Sequence, residues 1–225
     1  MAIENYGRLK LLFVDDAPHT RTLLRELLRN TSWSQANVVE SVAAALDAIW
    51  TRHPDLVFTD WQMPGESGLD LIRAIRNRND SPDPLLPVIL LTASGDAEHV
   101  MSARRAGATD FLVKPISLSR IVERVTNAVT RQRPFIVSAT YTGPDWRRSG
   151  QQPDGDRAEQ DALPEGGIVL PPDGLLLAKI RGEPGAIRDA LQRRTEAIAT
   201  VRRMRRSYAA AWTAQPNPSE CTVPP

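Results

Sequence analysis

Five polar residues stand where short apolar runs of this sequence stop, and their types suit one kind of chemistry. Asp15 and Asp16 follow "LKLLFV", Asp60 closes "DLVFTD", Thr92 closes "LPVILLT", and Lys114 follows "TDFLV". Three carboxylates gathered in one place repel one another, so either one takes up a proton at a raised pKa or a cation neutralises them. An all-oxygen donor set in a compact site favours Mg²⁺, which keeps several waters and takes one or two carboxylates together with a phosphate oxygen. A lysine ammonium and a threonine hydroxyl beside the same centre add a positive charge and a donor. That combination complements the charge on a transferring phosphoryl group. Asp60 then reads as an exposed nucleophile held beside a metal.

This chemistry requires that the five residues converge, and the elements around them predict that they do. The apolar runs cover residues 9–14, 36–41, 55–59, 86–92 and 109–113. Runs this apolar, without strict alternation, suit strands buried on both faces of a parallel sheet. Helical periodicity lies between them. Leu23, Leu24, Leu27 and Leu28 share one face; Val42, Leu46 and Ile49 another; Leu69, Ile72 and Ile75 a third. "AEHVMSARRAG" is a shorter helix ended by Gly107, and "LSRIVERVTNAVT" repeats apolar residues at 118, 121, 122, 125 and 129. Five such units in about 125 residues predict an open, doubly wound α/β domain. In sheets of that kind, ligand sites lie outside the carboxyl ends of the strands, which is where all five polar residues fall.

The segments "LLFVDDA", "DLVFTDWQMPGESGLDLIRAIR", "PVILLTAS" and "GATDFLVKPIS" resemble the receiver domain of bacterial two-component response regulators over roughly residues 8 to 131. The resemblance implies a flavodoxin-like parallel five-stranded sheet in the order 2-1-3-4-5. It implies that Asp60 accepts a phosphoryl group from a histidine of a sensor histidine kinase or phosphotransfer protein. By the same resemblance, Asp16 ligates Mg²⁺ directly, Asp15 acts largely through water, and the backbone carbonyl of Gln62 is a further ligand. Lys114 pairs with the phosphoryl group, and Thr92 moves in to hydrogen-bond it. Phe111 takes the place of the aromatic switch residue, and Pro115 follows a cis peptide bond. Gln62 and Ser94 occupy two positions that tune dephosphorylation in this family.

Simpler readings compete for single residues. Asp15 and Asp16 would also suit a helix N-terminus, Phe111 would suit a core, and Trp61 is either packing or a gate over the site. His19, His53 and His99 read as surface or capping residues. A receiver that keeps the fold but is never phosphorylated would have lost Asp60, Asp16 or Lys114, and all three are present. A phosphatase or other phosphotransferase on a similar sheet would need an added acid/base, and the sequence offers no candidate.

Composition narrows the partners. The 225 residues carry 28 Lys+Arg against 27 Asp+Glu, so a net charge of +1 gives no global pull toward nucleic acid or membrane. Cys221, the single cysteine, has no partner for a disulfide, which fits a cytoplasmic protein. The first ten residues do not read as a signal peptide, and no apolar run reaches the roughly 20 residues of a membrane span.

The remainder departs from the receiver pattern. Residues 1–132 are read as the receiver, 133–174 as a largely irregular linker, and 175–225 as a C-terminal extension that is mostly helical or irregular. The extension contains a long helix at about 185–212 and a disordered end. "RPFIVSATYTGPDWRRSG" is similar to a segment that follows the receiver in some response regulators with no recognised output domain. The long helix places Ile187, Leu191, Ile198, Val201, Tyr208 and Trp212 near one face, but Arg194 and Arg205 fall on the same seam and weaken a coiled-coil reading. Two outputs stay open: protein–protein signalling by docking or homodimerisation, and DNA binding through Arg202, Arg203, Arg205 and Arg206.

Overall fold

The fold was established from a computed structural model, which describes residues 3–147 and 163–213, with side chains for 6–147 and 163–208. After a short 3₁₀ turn at Ile3–Arg8, five strands alternate with five helices. They are β1 (Leu11–Val14), α1 (Pro18–Arg29), β2 (Asn37–Val39), α2 (Val42–Arg52), β3 (Leu56–Asp60), α3 (Gly68–Asn77), β4 (Val88–Thr92), α4 (Ala97–Ala106), β5 (Asp110–Val113) and α5 (Leu118–Thr130). The strands form one parallel sheet in the order β2-β1-β3-β4-β5, the expected flavodoxin-like arrangement.

The central strands are buried on both faces because helices cover both. On one side Phe13 and Phe58 stack with ring centroids 4.7 Å apart, against Leu24 and Leu28 of α1 and Ile121 and Val125 of α5. On the other side Leu12, Val57 and Leu90 meet Val42 and Ile49 of α2, Leu71, Ile72 and Ile75 of α3, and Ala103 of α4. The near-continuous apolar runs read from the sequence are the consequence of this two-sided cover.

The helix starts fix where the loops at the carboxyl edge go. Ser41, Ser67, Asp96 and Ser117 each cap a helix by accepting a backbone N–H with the side chain. At α3 the cap is reciprocal, because Asp70 returns a bond to the Ser67 N–H. Gly68 opens α3 directly against the end of β3. A Cβ there would lie 2.0 Å from the Asp60 carbonyl oxygen, so only glycine lets the helix begin this close to Asp60.

Residues 133–174, expected to be largely irregular, contain three short strands. These are β6 (Phe135–Val137), β7 (Thr142–Pro144) and β8 (Ile168–Leu170), in a separate antiparallel sheet of order β7-β6-β8. Residues 148–162 of that stretch lie outside the described residues. Two helices follow, α6 (Leu175–Arg181) and the 30-residue α7 (Pro184–Thr213), which includes the long helix expected at 185–212. The end expected to be disordered, 214–225, also lies outside the described residues. No described helix is long and apolar enough to cross a membrane.

The extension packs on the receiver. Leu176 and Ile180 of α6 join the apolar cluster of the α1/α5 side with Tyr6, Leu9 and Trp33. Lys179 pairs with Asp55. Arg194 of α7 bridges Asp83, at 2.7 Å, and Asp173, at 2.8 Å. Arg202 donates to the Ser81 carbonyl and Arg205 to the Arg78 carbonyl. Two arginines of the cluster read as a nucleic-acid candidate therefore reach toward the receiver. The fully buried Arg76 donates to the carbonyls of Gly107 and Pro84 and lies under the Phe135 ring; burial lowers its pKa to about 10. Tyr141 Oη lies 3.2 Å from the Arg104 carbonyl, and the Trp146 indole N–H donates to the Ala108 carbonyl. Asp55 precedes β3, residues 78–85 precede β4, and residues 104–108 precede β5. The extension thus grips the amino edge of the sheet, the end away from Asp60.

Candidate functional site at the carboxyl edge of the sheet

Strand register brings the acids and the lysine together. Val14 pairs with Thr59, so Asp15, the next residue, lies beside Asp60. Asp60 pairs with Leu91, and Thr92 pairs with Val113, the residue before Lys114. The Lys114 N–H donates to the Thr92 carbonyl at 2.8 Å and keeps Lys114 in register just beyond the strand. The Lys114–Pro115 peptide is cis, as the family resemblance implies.

One carboxylate oxygen from each of Asp15, Asp16 and Asp60 falls within 4.8 Å of the others. Lys114 Nζ is 2.8 Å from Asp60 Oδ1 and 3.5 Å from Asp15 Oδ2. Asp15 is fully buried. Its Oδ1 accepts the Ala17 N–H, whereas Oδ2 is buried without a hydrogen bond. Asp60 is 8% exposed, less open than the exposed nucleophile expected from sequence.

Burial pushes the Asp60 carboxyl above its usual 3.8, and the charge of Asp15 adds to the rise, against the hydrogen bond and charge of Lys114. Burial also opposes the charge of Lys114, but its hydrogen bond to Asp60 and the charges of Asp60 and Asp15 outweigh this and raise its pKa. Because the folded-state value of Asp60 is raised, folding favours its protonated form. Its contribution is fully present below 3.8 and is lost as pH rises through the raised value, so at neutral pH the ionised carboxylate opposes folding.

These residues fit a hard divalent cation. The donor set is all carboxylate, and the unpartnered Asp15 Oδ2 belongs to it. Mg²⁺ added at neutral pH should therefore raise the midpoint of thermal unfolding. Asp60→Asn should raise that midpoint in the absence of Mg²⁺ and shrink the gain on adding it, and Asp16→Asn should shrink the gain as well. A midpoint indifferent to Mg²⁺ in the wild type, followed by calorimetry, would refute the cation site.

Thr92 is 3% exposed, and its hydroxyl donates to the Ser94 carbonyl at 2.8 Å while accepting the Ser94 N–H at 3.2 Å. Its described hydrogen bonds thus turn away from Asp60. Phe111 is half-buried against the cluster under α2, α3 and α4, as is Trp61. Phe111 also borders a cavity of about 240 Å³ with Leu112, Val113, Arg120, Glu123 and Arg124. Gln62 is exposed and Ser94 half-buried in the loops flanking the site.

From the sequence, His99 reads as an isolated surface or capping residue, and Trp61 as either packing or a gate over the site. The two rings meet, with centroids 4.9 Å apart at 55°. His99 Nδ1 is 2.8 Å from Asp96, which also accepts the His99 backbone N–H. The available signal was local: Asp96 and His99 stand at the N-cap and third position of α4, where side chain and backbone can share one carboxylate. The contact to Trp61 has no such signal, because it joins the loop after β3 to the start of α4, 38 residues apart in the sequence.

Residues 11–126 match the family described as the response regulator receiver domain. The chemotaxis protein CheY of Pseudomonas aeruginosa is 31% identical over 123 residues, 55% of this chain and 98% of CheY. The two-component response regulator PhoP of the same organism is 34% identical over 139 residues, 60% of this chain and 58% of PhoP. Among solved structures, the chemotaxis response regulator CheY4 of Vibrio cholerae aligns with a TM-score of 0.48 at 24% identity, covering 53% of this chain and 97% of that one. The family match takes in every strand of the parallel sheet and all of the residues gathered at its carboxyl edge, so this chain belongs to the response regulator receiver domain family of two-component signalling.

Proposed function

We propose that this chain is a cytoplasmic two-component response regulator that accepts a phosphoryl group on Asp60, with Mg²⁺ present, from a sensor histidine kinase or phosphotransfer protein. The observation that carries the reading is the gathering of Asp15, Asp16 and Asp60 within 4.8 Å, with Lys114 at 2.8 Å from Asp60. Asp15, Asp16 and Asp60, with the backbone carbonyl of Gln62, would hold the Mg²⁺. When bound, the cation offsets negative charge on the phosphoryl oxygens.

An oxygen of the Asp60 carboxylate attacks phosphorus as the bond from phosphorus to the donor's imidazole nitrogen breaks. Lys114 then shifts its ion pair from the free carboxylate to the phosphoryl oxygens. Thr92 leaves Ser94 and donates its hydroxyl to the phosphoryl group, and Phe111 follows Thr92 inward. These contacts select the active one of two populated states. Turning a mostly inactive population into a mostly active one takes about 5.5 kcal/mol of differential stabilisation.

The protein is a phosphoacceptor rather than an enzyme acting on a separate substrate. Its output is protein–protein interaction or homodimerisation at the surface of α4, β5 and α5 near Phe111, with the extension as part of the output element. Hydrogen exchange in Mg²⁺, with and without beryllofluoride as a phosphoryl mimic, tests this. Protection is expected around Asp60, Thr92 and Lys114 and also in residues 133–147 and 163–208. No change at Asp60 would defeat the reading, and a change confined to residues 1–132 would detach the extension from the output. Lys114→Ala should leave Mg²⁺ affinity largely intact while abolishing the beryllofluoride-induced protection at α4, because the charge that follows the phosphoryl group is gone. Wild-type protection in that variant would remove Lys114 from its role.

A further inference from the structure

The contact between Trp61 and His99 closes a chain of interactions that runs around one rim of the site. Thr92 is bonded to Ser94 in both directions. The Ser94 hydroxyl donates to Asp96 Oδ2 at 2.7 Å and accepts the Asp96 N–H. Asp96 receives both the backbone N–H and the ring nitrogen of His99. The His99 ring meets the ring of Trp61, the residue next to Asp60. The backbone N–H of His99, then the Ser94 hydroxyl and the His99 ring, hold the Asp96 carboxyl far below the usual carboxylate range, so Asp96 is an anion at neutral pH.

The contact joins the loop after β3 to the first turn of α4, and both follow strand ends beside the buried Asp60. The Trp61 backbone is fixed by its N–H to the Leu91 carbonyl and its carbonyl to the Gly68 N–H. The side chain packs against the apolar cluster under α2, α3 and α4 and also meets the His99 ring at the start of α4. His99 is in turn oriented from two directions by one carboxylate.

We propose that His99 is a positioning residue for the phosphoacceptor site, seating Trp61 across the gap between the β3–α3 and β4–α4 loops so that a phosphorylated Asp60 is shielded from hydrolysis. The inference rests on Asp60 being the phosphoacceptor. The reaction it slows is attack of a water oxygen on phosphorus. The bond from phosphorus to the Asp60 oxygen breaks, the carboxylate is restored, and inorganic phosphate and a proton leave. By the family resemblance Gln62 and Ser94 would act on the same step by their own side chains, whereas His99 acts through the Trp61 ring.

The test is the decay of label from full-length protein loaded with radiolabelled acetyl phosphate in Mg²⁺ and then desalted. His99→Ala and Trp61→Ala should each speed decay roughly fivefold, the rate change equivalent to losing one ordinary contact in a single step. The double variant should decay no faster than either single one, because the two rings act as a unit. His99→Phe keeps a ring without the Asp96 bond, and His99→Gln keeps a polar partner without the ring. Shielding requires that His99→Phe retain slow decay better than His99→Gln, whereas a purely structural role in capping α4 requires the reverse. Unchanged decay in both alanine variants, additive acceleration, or better rescue by His99→Gln overturns the inference. A wild-type protein that takes up no label overturns the phosphoacceptor reading and this inference with it. Uptake with unchanged decay overturns this inference alone.

Discussion

Asp60→Ala protein incubated with Mg²⁺ and a labelled small phosphodonor takes up no label, where wild-type protein does. The expected loss is complete because the neighbouring carboxylates cannot substitute. Asp15 is fully buried and spends Oδ1 on the Ala17 N–H. Asp16 lies one residue further along the β1–α1 loop, off the register that aligns Asp60 with Lys114. A nucleophile must face the reacting atom with its partner group in place, and only Asp60 has the Lys114 ammonium at 2.8 Å. The variant should still fold, since the ionised carboxylate opposes folding at neutral pH. Intact-mass measurement with peptide mapping reads the result. Label persisting on another residue would sink the assignment of Asp60.

Arg194→Ala should lose about 3 kcal/mol of unfolding free energy, the lower end of the range for breaking a buried ion pair by removing one partner. The Arg194 side chain is 10% exposed and holds Asp83 and Asp173 together, joining the α3–β4 loop, the segment before α6, and α7. Burial works against its charge, but the two carboxylates outweigh burial and raise its pKa. Without the guanidinium those carboxylates repel each other in a poorly hydrated seam beside Leu85 and Val201, which anchor α7 and the small sheet. Urea denaturation measures the change, with the exposed Arg203→Ala as a control expected within about 0.5 kcal/mol of wild type. If the two variants unfold alike, the bridge does not tie the extension to the receiver. A loss confined to the signal of the extension would instead show that the two parts unfold separately.

Much of the receiver is legible in the sequence. Apolar runs of five to seven residues, four of the five ended or followed by Asp, Thr or Lys, carry strand identity and site chemistry in the same few letters. Asp15, Asp16, Asp60 and Lys114 were found from strand ends alone because a parallel sheet puts all its carboxyl ends on one edge, so local pattern was enough. The strand order came from the family resemblance. Gly68 illustrates the boundary: the sequence marks it as a helix start, but only the 2.0 Å approach to the Asp60 carbonyl explains why no other residue serves there.

The extension was not legible in that way. Arg194 and Arg205 on the apolar seam of α7 read as defects, because a charge on a buried face is unfavourable unless its partner is known. Their partners, Asp83 and the Arg78 carbonyl, lie more than a hundred residues earlier, and no window along the chain contains both. Strands β6 to β8, three residues each, carry too little periodicity to be read, and they exist by pairing with one another and packing on α7. The same holds at the site's rim, where the ring contact of Trp61 with His99 joins the loop after β3 to the start of α4, brought together only when β3 and β4 pair. The sequence by itself determined which residues could accept and hold a phosphoryl group, since that depends on residue type at strand ends. The tertiary structure alone decided what surrounds them and what grips the far edge, since burial and charge compensation depend on neighbours that are distant along the chain.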